Sequence, residues 1–207
     1  MNAKFKQFDI KGAILAGGRA SRMGGVNKGM LSNQNGQSII GYLINQMNLA
    51  GIKDVVISAN DPSPYSDMRV QIVLDQQQDT GPIAGIAAVM KHYKDQCDGV
   101  MFVPCDVPNI TANELISLKE AFASSKAKIV FAETDDFFWH PLCSVVHNDL
   151  ADQILLAQNS DQRKVSRLWK QLGAETVKFS DASVFLNVNT LSDVNHWRGN
   201  ENEKSLC

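Results

Sequence analysis

Short apolar runs alternate along the chain with longer stretches in which apolar residues return at helical spacing. KGAILA (11–16), DVVISA (54–59), VQIVLD (70–75) and GVMFVPCD (99–106) read as buried strands, being short and rich in branched or small side chains. SIIGYLINQMNLAG (38–51) reads as a helix closed by Gly51, and GPIAGIAAVMKHY (81–93) as a packed helix with a small, apolar face. TANELISLKEAFASS (111–125) starts at Thr111 and carries Glu114 three residues on, the sequence form of a helix capping box. KIVFAE (128–133) and PLCSVVH (141–147) follow as strands, LADQILLAQ (150–158) and KVSRLWKQLG (164–173) as helices. TVKF (176–179), the loop FLNVNT (185–190) and a last short helix close the pattern.

Strands that alternate with helices predict an α/β fold: a single domain over 1–207, with a mainly parallel twisted sheet covered by helices on both faces. The later, antiparallel-looking segments are expected to form one edge. Ligands on such sheets bind beyond the carboxyl ends of the strands. The strand ends therefore matter most: a glycine-rich loop after the first, Ser58-Ala59-Asn60 after the second, Asp75 after the third, and Pro104-Cys105-Asp106 after the fourth.

Composition narrows the setting. A hydrophobic content of 44% over 207 residues supports a real core, and a net charge of -2 gives no whole-molecule attraction to nucleic acid or anionic membrane. Small anions remain as partners for a local basic loop. Cys97, Cys105, Cys143 and Cys207 form no C-x-x-C pair, which suits reduced thiols. The first residues, MNAKFKQFDIKG, hold no apolar signal core, and no apolar run approaches spanning length. The expected location is the cytoplasm.

The loop after the first strand, in GAILAGGRASRMGGVNKGM (12–30), carries the candidate chemistry. It is not a P-loop, because Lys28 is followed by Gly29 rather than Ser or Thr, and its Gly17-Gly18 pair lacks the G-x-G-x-x-G spacing of dinucleotide folds. Arg22 and Lys28, exposed backbone, and the carboxylates Asp75 and Asp106 together suit a polyphosphate with its magnesium. Taken singly, each Asp also fits a turn or a helix cap, Gly17-Gly18 a tight turn, and Cys105 a buried thiol.

LAGGRASRMGGVNK resembles the L-A-[AG]-G-x-x-x-R-M-G-x-x-K loop of nucleotidyltransferases with a Rossmann-like fold. With GPIAGI after Asp75, PCDVP around Asp106, HPLCSVV at His140, DQRKV at Arg163 and FLNVNT at Asn187 and Asn189, the chain is similar to the molybdenum cofactor guanylyltransferases. The resemblance implies transfer of GMP from GTP to the terminal phosphate of molybdenum-bound molybdopterin, with pyrophosphate released. It implies catalytic roles for Arg22, Lys28 and Asp106, with Mg²⁺ on Asp106. Nucleotide contacts would come from Leu15, Ala16, Gly17, Gly18, Lys28, Ser58, Asn60, Asp75 and Asp106, within a part spanning about 8–110. Arg163, Asn187 and Asn189 would face the pterin, in a part spanning about 111–198. Other proteins of molybdenum cofactor synthesis, or recipient apo-enzymes, are the implied protein partners. Asn27 stands where the family usually has Asp before the lysine, and Ser58 where an N-x-N pattern has its first Asn. A cytidylyltransferase on the same scaffold, acting on molybdopterin or an isoprenoid intermediate, and a non-catalytic nucleotide-binding protein are the competing readings. Paired glycine in LAGG, where cytidine-using relatives usually read L-A-A-G, favours guanine.

Overall fold

The computed structural model describes residues 8–17, 27–33, 35–75, 81–159, 163–190, 193–195 and 197. Among them, strands β1 (Ile10–Leu15), β2 (Val55–Ala59), β3 (Gln71–Leu74), β4 (Gly99–Pro104), β5 (Ile129–Thr134), β6 (Trp139–His147) and β7 (Glu175–Phe179) form one sheet in the order β3-β2-β1-β4-β6-β5-β7. Helices α1 (Ile39–Leu49), α2 (Pro82–His92), α3 (Ala112–Ser124), α4 (Ala151–Gln158) and α5 (Val165–Gln171) cover it. Side chains on a strand alternate between faces, and the core divides accordingly. Ile14, Ile57, Met101 and Val103 pack with α1 and α3 on one face. Ala13, Val56, Val100 and Phe102 pack with α2, α4 and α5 on the other.

Local signals end the helices where the pattern placed them. Ser38 caps α1, its side chain accepting from the Gly41 N–H at 3.1 Å. Gly51 follows α1 with φ 83°, a left-handed conformation glycine adopts without a β-carbon clash. Thr111 and Glu114 form the expected capping box at the start of α3.

The edge differs from expectation. The one reversed strand, β6, lies inside the sheet, antiparallel to both β4 and β5, and the parallel strand β7 takes the edge. Burial explains the exchange. Residues Cys143, Ser144, Val145 and Val146 of β6 are all buried and need cover on both faces, whereas Glu175 and Lys178 leave β7 partly exposed and fit for an edge. No helix among the described residues is long and apolar enough to cross a membrane.

Candidate active site

β1 pairs in parallel with β2 on one side and β4 on the other, so the chain leaves the sheet in opposite directions on the two sides of β1. That reversal opens a crevice at the carboxyl ends of the strands. Backbone hydrogen bonds knit its floor: Ala16 N–H donates to Ser58 O at 2.8 Å, Cys105 N–H to Leu15 O at 3.0 Å, and Asp75 N–H to Ala59 O at 3.1 Å. Leu15, Ala16, Asn60, Asp75 and Asp106 thus share one rim, as the strand ends predict. Gly17 fits there because a β-carbon on it would sit 3.0 Å from Asn60 Oδ1. The Asn60 amide in turn donates to Asp75 O at 3.2 Å, tying the second strand end to the third.

Lys28, Asp106 and Asn189 converge at the middle of this rim from distant parts of the chain. Lys28 Nζ donates to Asn189 Oδ1 at 2.7 Å. Val188 N–H donates to Asp106 O at 2.8 Å, which pins the 187–190 segment across the end of β4. Burial raises the Asp106 carboxyl above the usual range, and the nearby Lys28 ammonium partly offsets it. A part-buried carboxylate beside an ammonium and an amide oxygen supplies hard oxygen donors and positive charge together. Among the described residues no three His, Cys, Asp or Glu side chains gather as a protein-only metal cage. A single carboxylate suits Mg²⁺, which keeps waters and takes phosphate oxygens as ligands.

Two contacts support the residues around Lys28, and the first involves a tyrosine that no sequence signal marks. The Asn27 amide and the Tyr65 hydroxyl are mutually hydrogen-bonded, at 2.9 and 3.0 Å. Tyr65 is buried, its phenol pushed up to about 12 mainly by desolvation. The neutral amide at position 27 therefore orients the lysine turn through a tyrosine 38 residues away. Asp193 accepts from the N–H groups of both Asn189 and Thr190 at 2.7 Å, fixing the loop that presents Asn189. T-x-x-D from Thr190 to Asp193 carries that second contact in readable form, as a cap.

Other expectations resolve differently. Ser58 does not line the rim: its side chain is 1% exposed, and its hydroxyl donates to Gly85 O on α2 at 3.4 Å. The alternation that turns Val56 toward α2 turns Ser58 the same way, so it packs beneath the site. Asp75 is also largely buried. A β-carbon on Gly85 would meet Ser58 Oγ at 2.9 Å and lie 3.9 Å from Asp75 Oδ2, so this glycine lets α2 close against both side chains. The backbone of Arg163 lies against Gly81 at the start of α2, on the sheet face opposite α1 and α3. Arg163 is therefore attached to a different layer from Asn187 and Asn189. Gly18 and Arg22 lie outside the described residues. Burial pushes the Cys105 thiol up to about 12, reinforced by Asp106, so it stays protonated beside the site.

A crevice at the strand-order reversal, with cation, carboxylate and backbone around it, marks an α/β transferase of activated nucleotides. Solved structures with this fold include a molybdopterin-guanine dinucleotide biosynthesis protein A from Archaeoglobus fulgidus (TM-score 0.76, 19% identity, covering 93% of this chain and 99% of that one). A nucleotidyl transferase from Methanothermobacter thermautotroptrophicus is similar as well (TM-score 0.72, 18% identity, covering 94% and 98%). The chain belongs to the MobA-like NTP transferase domain family, whose pattern matches residues 12–176. It is 34% identical over 201 residues to a molybdenum cofactor guanylyltransferase of Serratia proteamaculans, covering 96% of this chain and 97% of that one. A molybdenum cofactor guanylyltransferase of Bordetella pertussis is 34% identical over 193 residues, covering 90% and 95%.

Proposed function

We propose that the protein transfers GMP from GTP to the terminal phosphate of molybdenum-bound molybdopterin, forming the molybdopterin guanine dinucleotide cofactor and releasing pyrophosphate. The convergence of Lys28, Asp106 and Asn189 at the end of β1 and β4 carries this reading, and the guanylyltransferase relatives support the substrates. A phosphate nucleophile is already ionised near neutral pH, so the site needs to position and neutralise rather than to deprotonate. Lys28 balances charge on the phosphates, and the Asn189 amide holds its ammonium toward the rim. Gly17 is exposed at the end of β1 and presents its backbone to the nucleotide, while Asn60 and Asp75 stand where the base and ribose reach the second and third strands.

Asp106 is the residue that would hold Mg²⁺. Bound there, the ion supplies Lewis-acid stabilisation of the attacked phosphate and the leaving pyrophosphate. The free thiols of Cys97, Cys105 and Cys143 suit a cytoplasmic setting.

Pyrophosphate release is the measurement, with GTP, CTP, ATP and UTP each supplied with and without molybdopterin. Release that requires both GTP and molybdopterin is expected. Preference for CTP would move the protein to the cytidylyltransferase reading, and release without acceptor would remove the transfer reading altogether.

A further inference from the structure

The site described above gives no task to the HPL segment (140–142) near the start of β6. Its place in the sheet supplies one. β4 and β6 pair from Gly99 with His147 up to Phe102 with Ser144. β6 then shifts register against β5 between Phe131 and Ala132, and His140 comes to lie opposite Ala132. The ladder between β4 and β6 therefore stops short of the two ends that carry Asp106 and His140.

Segment 185–188 joins those ends instead. At its start Phe185 stacks on the His140 imidazole, with ring centres 4.7 Å apart and planes 25° apart. At its finish Val188 N–H donates to Asp106 O at 2.8 Å. Asn187 lies between the two anchors, and Asn189, which accepts from Lys28 Nζ at 2.7 Å, follows directly after the second.

The imidazole is itself held. Thr134 Oγ1 lies 3.4 Å from its Nε2, and the Phe138 ring packs against it at 5.0 Å and 56°. Phe185 is buried and is covered from β7 by Phe179 at 5.1 Å. The short 3-10 turn Ala182–Phe185 is tied to the loop after β4, where the Asn109 amide donates to Ser183 O at 3.2 Å. Residues 186–190 form neither helix nor strand, so the packing of side chains sets their path where no backbone ladder does.

We infer that His140 is a positioning residue: its imidazole, stacked on Phe185, holds segment 185–190 across the end of β4 so that Asn189 meets Lys28 beside Asp106. The kinetic consequence rests on the transfer reaction proposed above, and the placement of the segment does not. A reaction that depends on positioning loses rate when the groups that position it shift.

The test uses His140→Ala and His140→Phe in the full chain. Alanine removes the stacked ring, whereas phenylalanine keeps a flat ring able to stack on Phe185. Val188 N–H reports the bond to Asp106, and the N–H groups of Asn189 and Thr190 report the bonds to Asp193. His140→Ala is expected to speed hydrogen exchange at these three amides at least roughly tenfold, while the amides of β1 and β4 keep their parental rates. In the transfer assay it is expected to lower kcat about tenfold, and His140→Phe to restore both the exchange rates and most of kcat. Parental exchange at the three amides in folded His140→Ala overturns the inference. So does equal acceleration throughout β1 and β4, an unchanged kcat, or a His140→Phe protein as impaired as His140→Ala. Where His140→Ala does not fold, Phe185→Leu breaks the same stack from the other side, and the same amides decide. If the parent protein transfers nothing from GTP, the function reading fails, and the exchange rates alone uphold or overturn the role of His140.

Discussion

Asp106 is held at the rim in a conflict between burial, which favours its neutral form, and Lys28, which favours its charge. Such a carboxylate contributes most when a cationic partner and phosphates surround it. Asp106→Ala should therefore lower turnover about 10²–10³-fold in a folded protein. Cys105→Ala, one residue away, should keep at least about half of the parental kcat/KM, because a thiol pushed up to about 12 offers no thiolate at neutral pH. Comparable losses in both variants would show a disturbed turn rather than a lost ligand. His140 gives a separate pH signature. Burial holds its imidazole below the ordinary value, with Asp136 opposing in part. The unfolded chain then binds the proton more readily, so the stability His140 confers is complete above the unfolded histidine value and is lost as pH falls from there through the lower folded value. His140→Gln should flatten the fall in thermal midpoint between about pH 7.5 and about pH 5.5. An unaltered slope would place the acid sensitivity in other groups. At this scale Lys28, Asn60, Asp75 and Asp106 were legible, because strand ends and loop spacing mark them. Tyr65 was not, since its bond to Asn27 exists only after 38 residues fold back.

Elements were legible wherever a local rule decides them. The Thr111 and Glu114 capping box and the closing Gly51 act within a turn of their own helices. The place of β6 in the sheet was not local: it follows from how much surface each strand needs covered, a comparison between β6 and β7. The GPIAGI segment shows an intermediate case. Its helix was readable, but the reason for Gly85 lies in Ser58, on another element. Gly85→Ala should destabilise the protein through the 2.9 Å contact with Ser58 Oγ. Combined with Ser58→Ala the contact is gone, and the better helix propensity of alanine, worth roughly 0.5–1 kcal/mol, should return the midpoint to the parental level or above. Denaturant melts of the two single variants and the double variant check this, and additive losses would mean that helix and strand do not press on each other there.

At the scale of the whole molecule, a net charge of -2 gives no overall attraction to phosphates, and the rim instead sets Lys28 against Asp106 and Asp193 at the carboxyl ends of β1 and β4. Sheet order creates that place: the reversal at β1 opens the crevice, and Asp106 stands at its edge at the end of β4. The rim was legible from the alternation of strands and helices, and Asn187 and Asn189 from the family resemblance, while the hydrogen bond that carries Val188 across Asp106 is a tertiary contact. The central claim is that the α-phosphate of GTP moves to an acceptor phosphate. Incubation of the protein with molybdopterin and GTP labelled at either the α- or the γ-phosphate measures it directly. The account predicts that the α-label appears in the pterin product and the γ-label in pyrophosphate. Appearance of the γ-label in the pterin product, or retention of the α-label in free guanine nucleotide, would contradict it.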